Sequence, residues 1–242
     1  MGVVAALAAE GRALGPQMRP AGRAPLSELA LLGEGSLLAV SGIGRAAAEA
    51  AANALVDAGV SALMTFGMAG GLDPTLPAGA VMLPSELISA DGARFTTCRS
   101  WRQRIGASIS PPRALSEGRL LVSDHAIETL ADKAAAFSRT GAAAVDMESA
   151  AVAAVAARRK LPFVAVRVIV DTAADMLPRA VVAASRAGRV RMGRLIGGLV
   201  LAPGETAALI RLAARYRTAK RSLRAVADAG ALAPLDSDTY LS

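Results

Sequence analysis

At 242 residues, the chain suits one sizeable domain and leaves little room for two full ones. Apolar residues make up 53%, with 57 alanines and only 3% aromatics, which favours helix over strand-rich sandwiches and excludes a largely disordered chain. The net charge of +7 is uneven: Arg179 to Arg224 holds eleven basic residues against one acid, Glu205, a local +10 that leaves −3 elsewhere.

Other classes fall away on residue counts. One cysteine, Cys98, excludes an internal disulfide, and one histidine, His125, excludes a poly-histidine metal centre and disfavours serine–histidine chemistry. The longest uncharged run, Ala58 to Leu72, is too short and glycine-rich for a membrane-spanning helix. Met1 to Ala9 has no basic region of a signal peptide, so a cytoplasmic location is expected.

In chain order, Met1 to Leu7 is predicted as a buried strand and Leu37 to Val40 as a second. An alanine-rich helix is expected from Arg45 to Ala58, capped by Gly59, followed by a strand from Ala62 to Phe66. Ala80 to Ile88 reads as a strand, and Ala93 to Gly118 as a loop-rich segment with a Pro111-Pro112 pair. Then come a helix from Ile127 to Ser138, a strand from Ala142 to Val145, a helix from Glu148 to Arg159 and a β-branched strand from Phe163 to Val170. Beyond Pro178 the chain reads as mostly helical. Continuous apolar strands alternating with helices predict a three-layer α/β/α sandwich around a central sheet.

Four motifs lie where predicted strands end, the place at which α/β sheets bind ligands. Ser41-Gly42-Ile43-Gly44-Arg45 is a strand–glycine–helix turn; it reads either as a tight turn or as a helix N-terminus facing an anion, with Gly44 and Arg45 as candidates. Phe66-Gly67-Met68-Ala69-Gly70-Gly71 lets a backbone approach a flat ligand, or is a structural turn. Asp146-Met147-Glu148-Ser149 and Val170-Asp171-Thr172 each place acids after a strand, and in isolation either reads as a helix cap.

Together the four are more specific. They resemble the nucleoside phosphorylase and nucleosidase family, including purine nucleoside phosphorylases and methylthioadenosine/S-adenosylhomocysteine nucleosidases, over residues 1 to about 178. The resemblance implies a phosphorylase-like fold with a mixed central sheet, a catalytic domain at 1–178, and a basic, mostly helical extension at 179–242 packed on or beside it. It implies Asp171 as the acid near the purine N7, Glu148 as acceptor of the ribose hydroxyls, Met147 beneath the sugar, and Met68, Ala69, Gly70 and Gly71 lining sugar and base. Glu10 matches the acid that activates water in the nucleosidases. Relatives need no cofactor and assemble as homo-oligomers.

The tail and the arginine-rich middle look most like the hopanoid-associated phosphorylase branch, which implies adenine release from adenosylhopane. A soluble nucleosidase and a non-catalytic adenosine-binding protein are the competing readings. Departures bear on the nucleophile. Thr65 and Met68 stand where phosphorylases place an arginine and a serine around phosphate, and Val170 replaces a frequent serine. Glu10 beside the attacking face disfavours a phosphate dianion, so water is favoured, with inorganic phosphate as candidate co-substrate. In the tail, an apolar stripe from Leu209 to Val226 runs beside Arg211, Arg215, Arg221 and Arg224. That pattern reads as a helix packed on the domain or as one peripheral to an anionic membrane at the inner face of the cell; nucleic acid is not expected.

Overall fold

The computed structural model describes residues 1–15, 19–20, 29–32, 35–109, 114–178 and 206–231. Among these residues, twelve strands form one mixed sheet: β1 (Gly2–Ala5), β2 (Arg19–Pro20), β3 (Leu29–Leu32), β4 (Ser36–Val40), β5 (Leu63–Gly71), β6 (Val81–Met82), β7 (Glu86–Ser89), β8 (Arg94–Thr96), β9 (Leu115–Ser116), β10 (Arg119–Val122), β11 (Ala142–Asp146) and β12 (Phe163–Asp171). Their order is β2-β3-β4-β1-β5-β11-β10-β7-β8, with β12 beside β5 and β6. The α-helices among the described residues are α1 (Ala8–Gly11), α2 (Arg45–Asp57), α3 (Arg99–Ser108), α4 (Leu130–Thr140), α5 (Ser149–Arg159) and α6 (Thr206–Val226).

Alternation along the strands builds two cores. In β12, Phe163, Ala165 and Ile169 face the core shared with Ala48, Ala51, Ala52 and Leu55 of α2 and Val152 and Val155 of α5. Val164, Val166 and Val168 face the opposite core with Trp101 and Ile105 of α3 and Ala219, Leu223 and Val226 of α6. The period-two pattern of a strand buried on both faces thus produces the three layers expected.

Boundaries moved for definable reasons. β5 is longer than expected because its glycines continue the ladder: Gly71 and Gly70 pair antiparallel with Ala144 and Val145 while β12 runs parallel along the other edge. The single strand expected at Ala80 to Ile88 is two, separated around Pro84, which has no N–H to donate. The segment expected to be loop-rich contains β8, α3 and β9, because α3 buries Trp101 and Ile105 one turn apart, with Arg102 beside them, and leaves Arg99 exposed. Capping by the Thr129 hydroxyl, which accepts from the Asp132 N–H at 3.1 Å, starts α4 later than its apolar pattern suggested.

In α6, Leu212, Ala213, Ala219, Leu223 and Val226 are buried, while Arg211, Arg217, Lys220, Arg221 and Arg224 are exposed. Arg215 departs from the expected solvated face: it pairs with Asp175 and donates to the Thr172 hydroxyl at 3.4 Å. Of the expected extension, residues 179–205 and 232–242 lie outside the described residues, and so does the side chain of Leu209. Among the described residues no helix is long and apolar enough to cross a membrane.

Candidate active site

A cavity of about 200 Å³ opens where β1, β5, β11 and β12 end. Its lining brings together Glu10, Met68, Ala69, Gly70, Met147, Glu148 and Asp171, with Ile43, His125, Ile127 and Tyr216 completing the wall. Asp146 lines it as well, so four carboxylates from three distant parts of the chain face one space.

Each acid is held by backbone or by a buried cation. Glu10, on α1 just after β1, accepts the Leu7 N–H at 2.9 Å and the Met68 N–H at 2.8 Å. A Cβ at residue 67 would lie 2.7 Å from its Oε1, so only glycine leaves room for this carboxylate. Burial raises the Glu10 pKa, against lowering by Arg167 and the two N–H donors.

Glu148 stands just before α5 and accepts the Gly44 N–H at 2.9 Å. Gly44 has φ near +103°, a conformation that favours glycine, and this turn aims its N–H across the site. Burial, then repulsion from Asp146, pushes Glu148 up to about 7.

Asp171 owes its aim to an irregularity. The β12–β5 register runs regularly to Ile169 opposite Ala69, then shifts so that Asp171 lies opposite Gly70. A Cβ on Gly70 would come within 3.2 Å of Asp171 Oδ2. On its other side the carboxylate accepts from the ammonium of Lys133, a residue of α4 that is 1% exposed. Burial raises the Asp171 pKa, and Lys133 opposes that shift most strongly.

From Asp146 in the lining a buried network runs back into the protein, one that the four motifs do not assign. Arg167 donates through Nε to Asp146 at 2.8 Å, through Nη2 to the Ser149 hydroxyl at 2.8 Å, and through Nη1 to the Val166 carbonyl at 3.2 Å. Thr65 and Ser149 share a hydrogen bond at 3.1 Å. Asp146 keeps Oδ1 buried without a hydrogen-bond partner among the described residues. A lone arginine inside an otherwise apolar strand was the available signal, since buried guanidinium demands a buried acid.

Other expected positions fall elsewhere. Arg45 pairs with Asp91 at 3.6 Å on the surface and does not line the cavity, and the Gly44 N–H is taken by Glu148. Gly71 lies behind the lining, packed against the Asp171 backbone. Among the described residues no lysine or arginine is in the cavity lining, and no cluster of side chains could hold a metal ion.

A family model described as the phosphorylase superfamily matches residues 19–201. No curated protein matches the chain. Among solved structures, the 5′-methylthioadenosine/S-adenosylhomocysteine nucleosidase of Neisseria meningitidis, bound to methylthio-immucillin-A, is 20% identical, with a TM-score of 0.73, over 97% of this chain and 98% of its own. The corresponding nucleosidase of Colwellia psychrerythraea, bound to adenine, is 25% identical over 71% of this chain and 81% of its own, with a TM-score of 0.64. Futalosine hydrolase of Helicobacter pylori is 18% identical over 94% and 97%, with a TM-score of 0.68.

Proposed function

The chain belongs to the phosphorylase superfamily, and from that premise we propose that it cleaves the N-glycosidic bond of a purine nucleoside, releasing adenine, with water as the nucleophile. The observation that carries this reading is the convergence of Glu10, Glu148 and Asp171 on one cavity. Breaking C1′–N9 builds positive charge on the sugar and negative charge on the departing base. Asp171 gives a proton to N7 as the bond electrons pass into the purine. Glu148 accepts hydrogen bonds from ribose hydroxyls and holds the sugar where cationic character is favoured, with Met147 beneath it. Glu10, made more basic by burial, takes a proton from the water that attacks C1′. The structures solved with adenine and methylthio-immucillin-A support the reading of the ligand class.

Water is favoured over phosphate by charge. An incoming dianion would meet Glu10, Glu148 and Asp146, while all three guanidinium nitrogens of Arg167 already donate within the protein. Leu7, Ile43, Ile127, Leu177 and Tyr216 in the lining suit an apolar 5′ substituent. Within that class we take adenosylhopane as the substrate, as the branch resemblance implies, with the exposed basic residues of α6 resting on anionic lipid. The test is adenine release from adenosylhopane in anionic vesicles and from soluble methylthioadenosine, each with and without phosphate. Release from the hopane without phosphate is expected. Strict phosphate dependence would overturn the water mechanism, and faster turnover of the thioether would make this a soluble nucleosidase.

Gly67→Ala probes the water step without altering any acid. The new methyl group overlaps the Glu10 carboxylate and displaces it from the Met68 N–H. Turnover should fall on the order of 100-fold, the cost of misplacing a catalytic group by about 1 Å. Steady-state kinetics beside thermal unfolding would show it, and unchanged kcat would remove Glu10 from the water step.

A further inference from the structure

We propose that Lys133 is a positioning residue for the leaving-group acid: it fixes which oxygen of Asp171 faces the purine and makes that acid a stronger proton donor. The inference rests on the reading of Asp171 given above and adds to it a residue from a different element. Lys133 lies within the first turns of α4, a helix otherwise rich in alanine, yet its side chain is turned inward and is 1% exposed. Its ammonium donates to Asp171 Oδ2 and to the Thr172 carbonyl at 2.8 Å, so both bonds end at the last residue of β12 and the residue that follows it. Gly70 closes the other side, where even a Cβ would stand 3.2 Å from Oδ2 and 3.4 Å from Oδ1. The carboxylate is thus clamped between a backbone and an ammonium, with Oδ2 occupied and Oδ1 left for the ligand.

A lysine is seldom buried unless paired, and here it costs helix α4 a solvated charge that alanine would not need. The return is chemical. Burial alone pushes the Asp171 carboxyl towards the neutral form, which makes a reluctant donor. With Lys133 beside it, the carboxylate left after proton transfer is stabilised at the moment the purine departs. The step balances as follows: the C1′–N9 electron pair enters the purine, N7 takes the proton from Asp171 Oδ1, and the negative charge left on Asp171 is held by the Lys133 ammonium. Glu10 carries the proton lost by water, and both acids are reset by exchange with solvent. Other charged groups around Asp171 are Arg215 of α6, paired with Asp175, and the carboxylates of Glu10, Asp146 and Glu148 in the same cavity lining; the side-chain bond to the carboxylate comes from Lys133.

The experiment compares Lys133→Met, Lys133→Gln and Lys133→Arg with the wild type in two readouts. One is the pH profile of adenine release; the other is the carboxyl carbon-13 titration of Asp171, which needs no turnover. In Lys133→Met and Lys133→Gln, the alkaline limb of kcat/KM and the Asp171 titration should both move up by at least about one pH unit, with plateau kcat lowered about 10- to 100-fold. Lys133→Arg should keep both near wild type. Lys133→Gln serves if the methionine variant fails to fold. In the Asp171→Asn background, adding Lys133→Met should cost no further activity, because Lys133 acts only through Asp171. A lowered plateau with both titrations unmoved would make Lys133 merely structural and overturn the proposal. A shifted carbon-13 titration in a protein that releases no purine would leave the pair standing and sink the catalytic reading instead.

Discussion

Asp171→Asn is expected to lower adenine release by at least about 1,000-fold and to destabilise the protein at the same time. The amide has no acidic proton to give to N7, so the base must leave as an anion. The second effect follows from Lys133. Asp171 and Lys133 are both buried, and replacing the acid by its amide leaves an ammonium in the interior with neutral acceptors, the new amide oxygen and the Thr172 carbonyl, and no counter-charge on residue 171. Breaking one half of a buried pair costs about 3–5 kcal/mol. The two effects separate in the double variant Asp171→Asn with Lys133→Met, which removes the orphaned charge. Its unfolding midpoint should recover much of the loss while its turnover stays at the level of Asp171→Asn. Kinetics and thermal unfolding of the three proteins decide it. Near-normal turnover of folded Asp171→Asn would remove the residue from its role.

That pairing shows what the sequence conceals. Glu148 and Asp171 stand out in the sequence as acids at strand ends, which converge at one edge of an α/β sheet. Glu10 comes only with the family resemblance, and the structure brings all three to one cavity. Their supports do not stand out. Lys133 sits in an alanine-rich helix, where a lysine normally marks the solvated face, and nothing in its neighbours tells that α4 turns it inward. Arg167 was more accessible: a guanidinium in the middle of Phe163–Val170 had to find a buried acid, and Asp146 supplies it.

The fold divides the same way. The branched residues of β12 announce a strand buried on both faces, whereas β5 is obscured by Gly67, Gly70 and Gly71. Gly67 and Gly70 read as turn formers but serve to admit the Glu10 and Asp171 carboxylates, and the ladder passes through them. Tyr216 joins the site from α6 by packing of an apolar stripe whose register against β12 is a tertiary fact.

Glu148→Gln should lose activity and gain stability, with opposite consequences from one charge. The carboxylate accepts the Gly44 N–H, and the glutamine oxygen can keep that bond. What it loses is the negative charge facing the ribose, so turnover should fall about 100- to 1,000-fold. The stability effect depends on pH. The Glu148 pKa is raised from 4.5 to about 7 in the fold, by burial and by Asp146. Below pH 4.5 the group is protonated whether the chain is folded or not, and contributes no difference. Between 4.5 and about 7 the unfolded chain ionises while the folded one retains the proton, so stability falls as pH rises. Above about 7 the loss is complete, and the shift corresponds to about 3 kcal/mol at most. Glu148→Gln should therefore unfold at higher denaturant than wild type at pH 8, by about 1–3 kcal/mol, and at nearly the same denaturant at pH 4. The same ionisation gives wild-type kcat/KM an acid limb near 7, because only the carboxylate accepts two hydroxyl protons. An equal stability gain at both pH values would assign the effect to packing, and would leave the ribose-binding role to be carried by the kinetics alone.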